Sequence, residues 1–296
     1  MKIAILSCFY PYRGGISQFN ACLYGELSKN HVVKAFNFKR QYPEFLFPGK
    51  TQFVTDDDEA VPVESVSLLD TANPFSYRTT YRKIREWGPD VLIVRYWMSY
   101  FAPSLGYITR KMKKHCKIVS ILDNVIPHEQ RFFDTPLTKY FLKGSTGHVT
   151  LCEAVAKDLQ EMKPKAPYTV IQHPLYSHFG ERIPREKAEK KLGLAPGKKN
   201  ILFFGLIRHY KGLDILLEAF GKLSEDYQLI IAGEPYGSFS PYSDIISRLP
   251  GKGRIFMNLK YIRDSEVTDY FSAADIAVLP YRSATQSGIS SVSYHF

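Results

Sequence analysis

Cysteine is scarce in this chain: four among 296 residues, at positions 8, 22, 116 and 152, with no two at CxxC spacing. That argues against a disulfide framework or a structural zinc, and it fits a reducing, cytoplasmic compartment. No run approaches the ~18 apolar residues that span a bilayer. The N-terminal "ILSC" has the look of a lipoprotein cleavage box, yet the stretch from Lys2 to Cys8 falls far short of the ~7–15 apolar residues of a signal peptide. There is no repeat of solenoid period, no low-complexity tract and no nucleic-acid motif of the usual kinds.

Acid is also in short supply. Lysine and arginine number 39 against 29 aspartates and glutamates, a formal charge of +10. A surplus of this sign suits an anionic partner: nucleic acid, a membrane surface or a phosphorylated substrate. Without a nucleic-acid motif, the last two are the better expectations.

What the chain does have is alternation. "KIAILSC" (2–8) reads as a buried strand, a Gly14-Gly15 loop leads into a helix near 16–29, and "HVVKAFNF" (31–38) is the next strand. Residues 40–75 read as irregular, with an acidic cluster in "TDDDEA" (55–60). A helix stopped by Gly88-Pro89 follows, then "DVLIVRYW" (90–97), a helix to about 115, "KIVSILD" (117–123), "HVTLC" (148–152) and "YTVIQ" (168–172). The pattern then restarts. "NILFFG" (200–205) is a strand, and Leu213, Leu216, Leu217, Phe220 and Leu223 make the stripe of a core-facing helix. "YQLIIAG" (227–233) and "DIAVLPY" (275–281) are strands, with a short helix at 264–274 capped by Asp264 or Ser265. Strands alternating with helices mean βαβ units and parallel sheets. The expectation is an α/β protein of two Rossmann-like, doubly wound domains, 1–175 and 176–296. The second shows only three clear strands before Phe296, which suggests a truncated domain.

One stretch stands out chemically. In "FFGLIRHYKG" (203–212) a glycine ends an apolar strand, and two cations, Arg208 and Lys211, precede the leucine-rich helix. Ligands of open parallel sheets bind outside the carboxyl ends of the strands. Helix starts there offer free N–H groups and partial positive charge. Arg208 can fork onto phosphate oxygens and Lys211 can add a mobile point charge. A solvated loop with two surface cations is the plain alternative.

With its flanks, "FFGLIRHYKGLDILLEAF" resembles the donor-site signature of retaining GT-B glycosyltransferases, family 4, also called group 1. The resemblance implies a nucleotide-diphosphate sugar held by the C-terminal domain, its diphosphate on Arg208 and Lys211, with Gly205 allowing close approach. It implies an acceptor, a sugar, a lipid-linked group or a polysaccharide, on the N-terminal domain. Gly14 and Gly15 match the family's N-terminal glycine loop, implied as donor-binding by letting a phosphate, or an acceptor, come close, and His128 in "DNVIPHE" matches a cleft histidine near the reacting carbon, with Glu129 either orienting its ring or capping a helix. "AGEPYG" (232–237) matches the glycine turn of the nucleotide pocket, with Glu234 as a weak candidate. The loop "LPYRSATQSGISS" (279–291) stands where the family carries a Glu-x7-Glu pair, but the equivalent positions are Ala284 and Val292. There Thr285, Gln286, Ser287 and Gly288 remain as a helix-entry turn for the phosphates, or as an ordinary capped helix start.

No cofactor and no metal is expected, two fixed cations standing where a metal ion would otherwise neutralise the diphosphate. The basic segment "RKMKKHCK" (110–117, from Arg110 to Lys117) reads either as cations suited to a helix C-terminus or as a peripheral contact with the inner membrane face or a phosphorylated acceptor. Two rivals stand beside the transferase. A nucleotide-dependent oxidoreductase lacks its G-x-G-x-x-G after the first strand. A non-catalytic nucleotide-sugar-binding or scaffolding protein is consistent with the missing glutamates.

Overall fold

The structure is a computed structural model, and it describes residues 1–43, 51–54, 61–127, 131–173, 179–284 and 287–296. The chain forms two compact units that divide after His173. In the first, β1 (Lys2–Leu6), α1 (Gly15–Ser28), β2 (Val32–Arg40), β3 (Ser65–Asp70), α2 (Pro74–Trp87), β4 (Val91–Tyr96), α3 (Ala102–Met112), β5 (Lys117–Leu122), α4 (Asp134–Leu142), β6 (Gly147–Thr150), α5 (Glu153–Met162) and β7 (Tyr168–Val170) follow in order. The strands make one parallel sheet, β3-β2-β1-β4-β5-β6-β7.

Side chains of a strand alternate between faces, and here both faces are covered. Ala4 and Leu6 point into a core with Phe36, Leu92 and Val94, closed by Ile84 of α2 and Leu105, Ile108 and Met112 of α3. Ile3 and Ile5 point the other way, with Ala35, onto Ala21 of α1. Burial on both sides is why these strands read as nearly unbroken apolar runs.

The second unit repeats the plan with α6 (Arg185–Leu192), β8 (Lys199–Phe204), α7 (Leu213–Phe220), β9 (Tyr227–Ala232), α8 (Ser240–Arg248), β10 (Ile255–Asn258), α9 (Asp264–Ala273), β11 (Ile276–Ala277) and α10 (Gly288–His295). Its parallel sheet runs β10-β9-β8-β11. Ile201 and Phe203 face α7 and α8. Leu202 and Phe204 face α9, Val292 of α10 and Ala188 of α6. In each sheet the first strand lies between later ones, β1 between β2 and β4, β8 between β9 and β11. Strand order reverses beside that first strand, which opens a crevice at its carboxyl end.

Several expectations need correction. The 40–75 stretch holds a strand, β3, whose "SVSLLD" is too polar to stand out. The second sheet has four strands, because the short "IFMN" of β10 also pairs. By contrast "DIAVLPY" supplies only the two residues of β11. Helix α7 stops at Phe220, so Leu223 lies beyond it and is 37% exposed. Helix α3 ends at Met112, so half of the basic 110–117 segment is a connection into β5. Helix α9 is closed at its start by the Glu266 carboxylate, which accepts from Arg263 N–H at 3.1 Å, and not by Asp264 or Ser265.

Candidate active site

At the end of β8 the chain stays bound to its neighbour. Gly205 N–H donates to Ala232 O at 2.9 Å and Ile207 N–H to Glu234 O at 2.9 Å. The backbones are so close here that a Cβ on Gly233 (φ 154°) would stand 2.0 Å from Gly205 O. From Arg208 the chain enters a single 3-10 turn, His209–Lys211, then Gly212 in the left-handed region (φ 69°), then α7. A side chain at Gly212 is excluded twice: by its φ, and by Pro280 O, 2.0 Å from where a Cβ would lie.

The two cations differ in setting. Arg208 is half-buried, its guanidinium 4.9 Å from the ring centre of Tyr236 and 5.7 Å from that of Tyr210. Lys211 is only 8% exposed, so it is not the mobile point charge its position suggested. Its ammonium sits 5.8 Å from the Tyr281 ring centre, and among the described residues it has no hydrogen-bond partner. Burial, helped by the Arg208 charge, pulls its pKa down to about 8. A buried ammonium beside a guanidinium is a site that gains from an arriving anion.

The second segment comes from β11. Its loop carries Pro280, Tyr281 and Arg282, and it leads to Ser287, whose Oγ accepts from Ile289 N–H at 3.3 Å and caps α10. Tyr281 Oη lies 3.0 Å from the same Oγ. Gly288 opens the helix, and Ile289 Cδ1 is 3.4 Å from the place of a Cβ on Gly205. The start of α10 therefore stands beside the end of β8. Thr285 and Gln286 lie outside the described residues. Ala284 is exposed and Val292 is in the core, so neither glutamate position offers a carboxylate. Glu234 is 2% exposed, its side chain within the unit. Arg282 forms a bidentate ion pair with Asp214 in the first turn of α7, at 2.8 and 2.5 Å.

In the first unit Gly14 (φ 104°) precedes α1 and Gly15 opens it. His128 and Glu129 lie outside the described residues, as does the acidic cluster at 55–60. Close to the carboxyl ends of β4 and β5 stands a pair that sequence reading missed. Arg95 and Asp123 are joined at 2.7 and 2.6 Å, with the Phe19 ring 4.0 Å from the guanidinium. The available signal was an arginine inside the apolar run "DVLIVRYW". In the basic segment, Arg110 lies over Tyr140 at 4.9 Å and Lys113 donates to Lys143 O at 3.3 Å. Among the described residues no group of three or more His, Cys, Asp or Glu is placed to hold a metal ion, and no helix is long and apolar enough to cross a membrane.

Two cations and a capped helix start at the reversal point of a parallel sheet suit a phosphate-bearing ligand. Residues 184–292 match the family glycosyl transferases group 1. The chain is similar to the lipopolysaccharide core biosynthesis mannosyltransferase LpsB of Rhizobium meliloti (strain 1021), 28% identical over 121 residues, 39% of this chain and 34% of that protein. It is also similar to the D-inositol 3-phosphate glycosyltransferase of Mycobacterium ulcerans (strain Agy99), 32% identical over 99 residues, 32% of this chain and 21% of that one. These matches thus span about a third or less of the curated relatives' length. Among solved structures, sucrose-phosphate synthase from Thermosynechococcus elongatus aligns over 97% of this chain and 77% of its own, with TM-score 0.73 and 12% identity. Anabaena Alr3699/HepE in complex with UDP aligns over 96% and 75%, with TM-score 0.69 and 14% identity. At those identities the likeness is one of fold: α/β with parallel sheets, as in GT-B glycosyltransferase structures.

Proposed function

We propose that this chain is a retaining glycosyltransferase of family 4, which moves a hexosyl group from a nucleotide-diphosphate sugar to an acceptor hydroxyl. The donor lies on the second unit, its diphosphate between Arg208, Lys211 and the N-terminus of α10. The acceptor lies on the first, near the Gly14-Gly15 loop, and His128 is carried over from the family resemblance as a candidate catalytic residue. The carrying observation is Lys211: a lysine at 8% exposure whose ammonium has no hydrogen-bond partner among the described residues, beside Arg208 at the sheet's reversal point.

In the reaction the bond from the anomeric carbon to the diphosphate oxygen breaks and that carbon bonds to the acceptor oxygen. The acceptor proton passes to a donor phosphate oxygen. Negative charge grows on the leaving diphosphate, and Arg208 and Lys211 stabilise it from fixed positions, the effect that usually contributes most. Each charge-assisted bond contributes about 1.5–3 kcal/mol.

A relative acts in lipopolysaccharide core biosynthesis and a neighbour in fold is seen in complex with UDP, and they favour a UDP-type donor and a glycolipid or polysaccharide acceptor. The segment from Arg110 to Lys117 then serves as a peripheral contact with anionic lipid at the inner membrane face. A second reading, binding without turnover, rests on Ala284 and Val292 in place of the paired glutamates.

The test is Arg208→Ala and Lys211→Ala in the full chain. Nucleoside diphosphate affinity and release of that product from the sugar donor should both fall at least ~10-fold. Unchanged values overturn the assignment, and tight binding with no release in the unaltered chain selects the second reading.

A further inference from the structure

We propose that Arg282 and Asp214 are positioning residues of the donor site: their ion pair seats the loop after β11 on the turn that bears Arg208 and Lys211, and so sets the width of the diphosphate cradle. This inference rests on the donor-site reading above. The cradle has two walls from two strands. One is the turn after β8, the other Pro280, Tyr281 and Arg282 after β11 with Ser287 at the start of α10. The strands share only two register pairs, Ile276↔Ile201 and Ala277↔Leu202. So short a ladder cannot by itself hold two long loops in a common geometry.

Arg282 supplies what the ladder lacks. Its N–H donates to Tyr210 O at 2.8 Å, Nη1 to His209 O at 3.1 Å and to Asp214 Oδ1 at 2.8 Å, and Nη2 to Asp214 Oδ2 at 2.5 Å. Every one of these acceptors belongs to the 209–214 stretch. The fit is reinforced on either side. Gly212 admits Pro280 O into the space a Cβ would fill. Tyr281 packs against Tyr210 with ring centres 6.0 Å apart, and its hydroxyl meets Ser287 at 3.0 Å. A continuous line therefore runs from Asp214 through Arg282 and Tyr281 to the start of α10.

An isolated surface ion pair contributes little to stability. Here the side chains are 35% and 25% exposed, and the geometry is bidentate with two backbone carbonyls added. Its consequence is registration. An anion gripped from two sides loses binding when one wall shifts, and a misplacement of about 1 Å can cost ~100-fold in rate. The same loop also shields Lys211, whose charged and titratable neighbours among the described residues are Arg208 and Tyr281. Releasing Tyr281 admits water to the ammonium and returns its titration toward the ordinary lysine range.

The experiment measures UDP affinity by calorimetry between pH 6.5 and 9.5, with ADP and GDP beside it, for the full chain and for Arg282→Ala, Arg282→Lys and Asp214→Asn. Circular dichroism checks folding, and Asp214→Asn, which keeps side-chain volume, carries the test if Arg282→Ala does not fold. Expected is a loss of ~10-fold or more for Arg282→Ala, partial recovery in Arg282→Lys, and a pH break moved to higher pH. A folded Arg282→Ala or Asp214→Asn with unaltered affinity and pH break overturns the proposal. If Arg208→Ala and Lys211→Ala abolish UDP binding in that same case, the donor-site reading stands alone; if they too bind normally, both fall.

Discussion

Arg95 and Asp123 hold each other across adjacent parallel strands, Nε to Oδ2 at 2.7 Å and Nη2 to Oδ1 at 2.6 Å, with the arginine only 3% exposed. Two charges have left water together, and they neutralise each other. Removing one costs far more than replacing both by well-packed apolar groups. Asp123→Ala is expected to destabilise the first unit by about 3–5 kcal/mol. Both tryptophans, Trp87 and Trp97, lie in this unit, so urea unfolding followed by tryptophan fluorescence reads it directly. A midpoint equal to that of the unaltered chain contradicts the prediction.

His148 makes the same unit sensitive to acid. Its Nδ1 lies 2.6 Å from Ser120 Oγ and its Nε2 3.3 Å from Lys163 Nζ, which also donates to Leu142 O at 2.8 Å. An ammonium only donates, so Nε2 accepts and Nδ1–H points to the serine. Burial, then the Lys163 charge, lowers the His148 pKa from 6.5 to about 4. The unfolded chain takes up this proton near pH 6.5 while the folded unit refuses it until about pH 4. Stability is therefore complete above pH 6.5 and falls through that window, by on the order of 3 kcal/mol. The urea midpoint of the tryptophan signal should drop accordingly, and His148→Gln should flatten the decline.

Lys211 predicts a pH dependence of binding with the opposite chemistry. A diphosphate needs the ammonium charged, and the empty site loses that proton near pH 8 instead of 10.5. Affinity for UDP should be constant below that value and weaken above it, by at most about tenfold per pH unit. At pH 8 binding should draw a proton in, seen as a dependence of calorimetric heat on the buffer's ionisation enthalpy. In Lys211→Arg the break should vanish, since a guanidinium stays charged.

Two glycines should respond in opposite directions. Gly233→Ala drives a methyl group into Gly205 O, and backbone cannot step aside as a flexible side chain would. A loss of about 1–3 kcal/mol is expected in the second unit, read by circular dichroism in a transition that tryptophan fluorescence does not follow. Gly25 sits inside α1 with nothing within 4 Å of an added Cβ. Gly25→Ala should stabilise the first unit by about 0.5–1 kcal/mol.

Much of the fold was legible in the linear chain. "KIAIL", "NILFF" and "YQLIIA" announced themselves because strands covered on both faces need apolar residues at every position. The stripe from Leu213 to Phe220 announced α7 through its helical period. Strands β3 and β10 stayed hidden, one polar and one of four residues, since neighbours supply the pairing that their composition does not. Arg208 and Lys211 were visible as cations at a strand-to-helix turn, but the burial of Lys211 was not. It comes from Tyr281 and the start of α10, which the sheet brings to it.

Periodicity, glycine placement and the two cations of the strand-to-helix turn were written in the order of residues, because they depend on bond geometry and on neighbours a few positions away. Which charge meets which was decided only in three dimensions. Arg282 reaches Asp214 from 68 residues away, and Arg95 reaches Asp123 from 28, because parallel strands align their carboxyl ends whatever the length of chain between them.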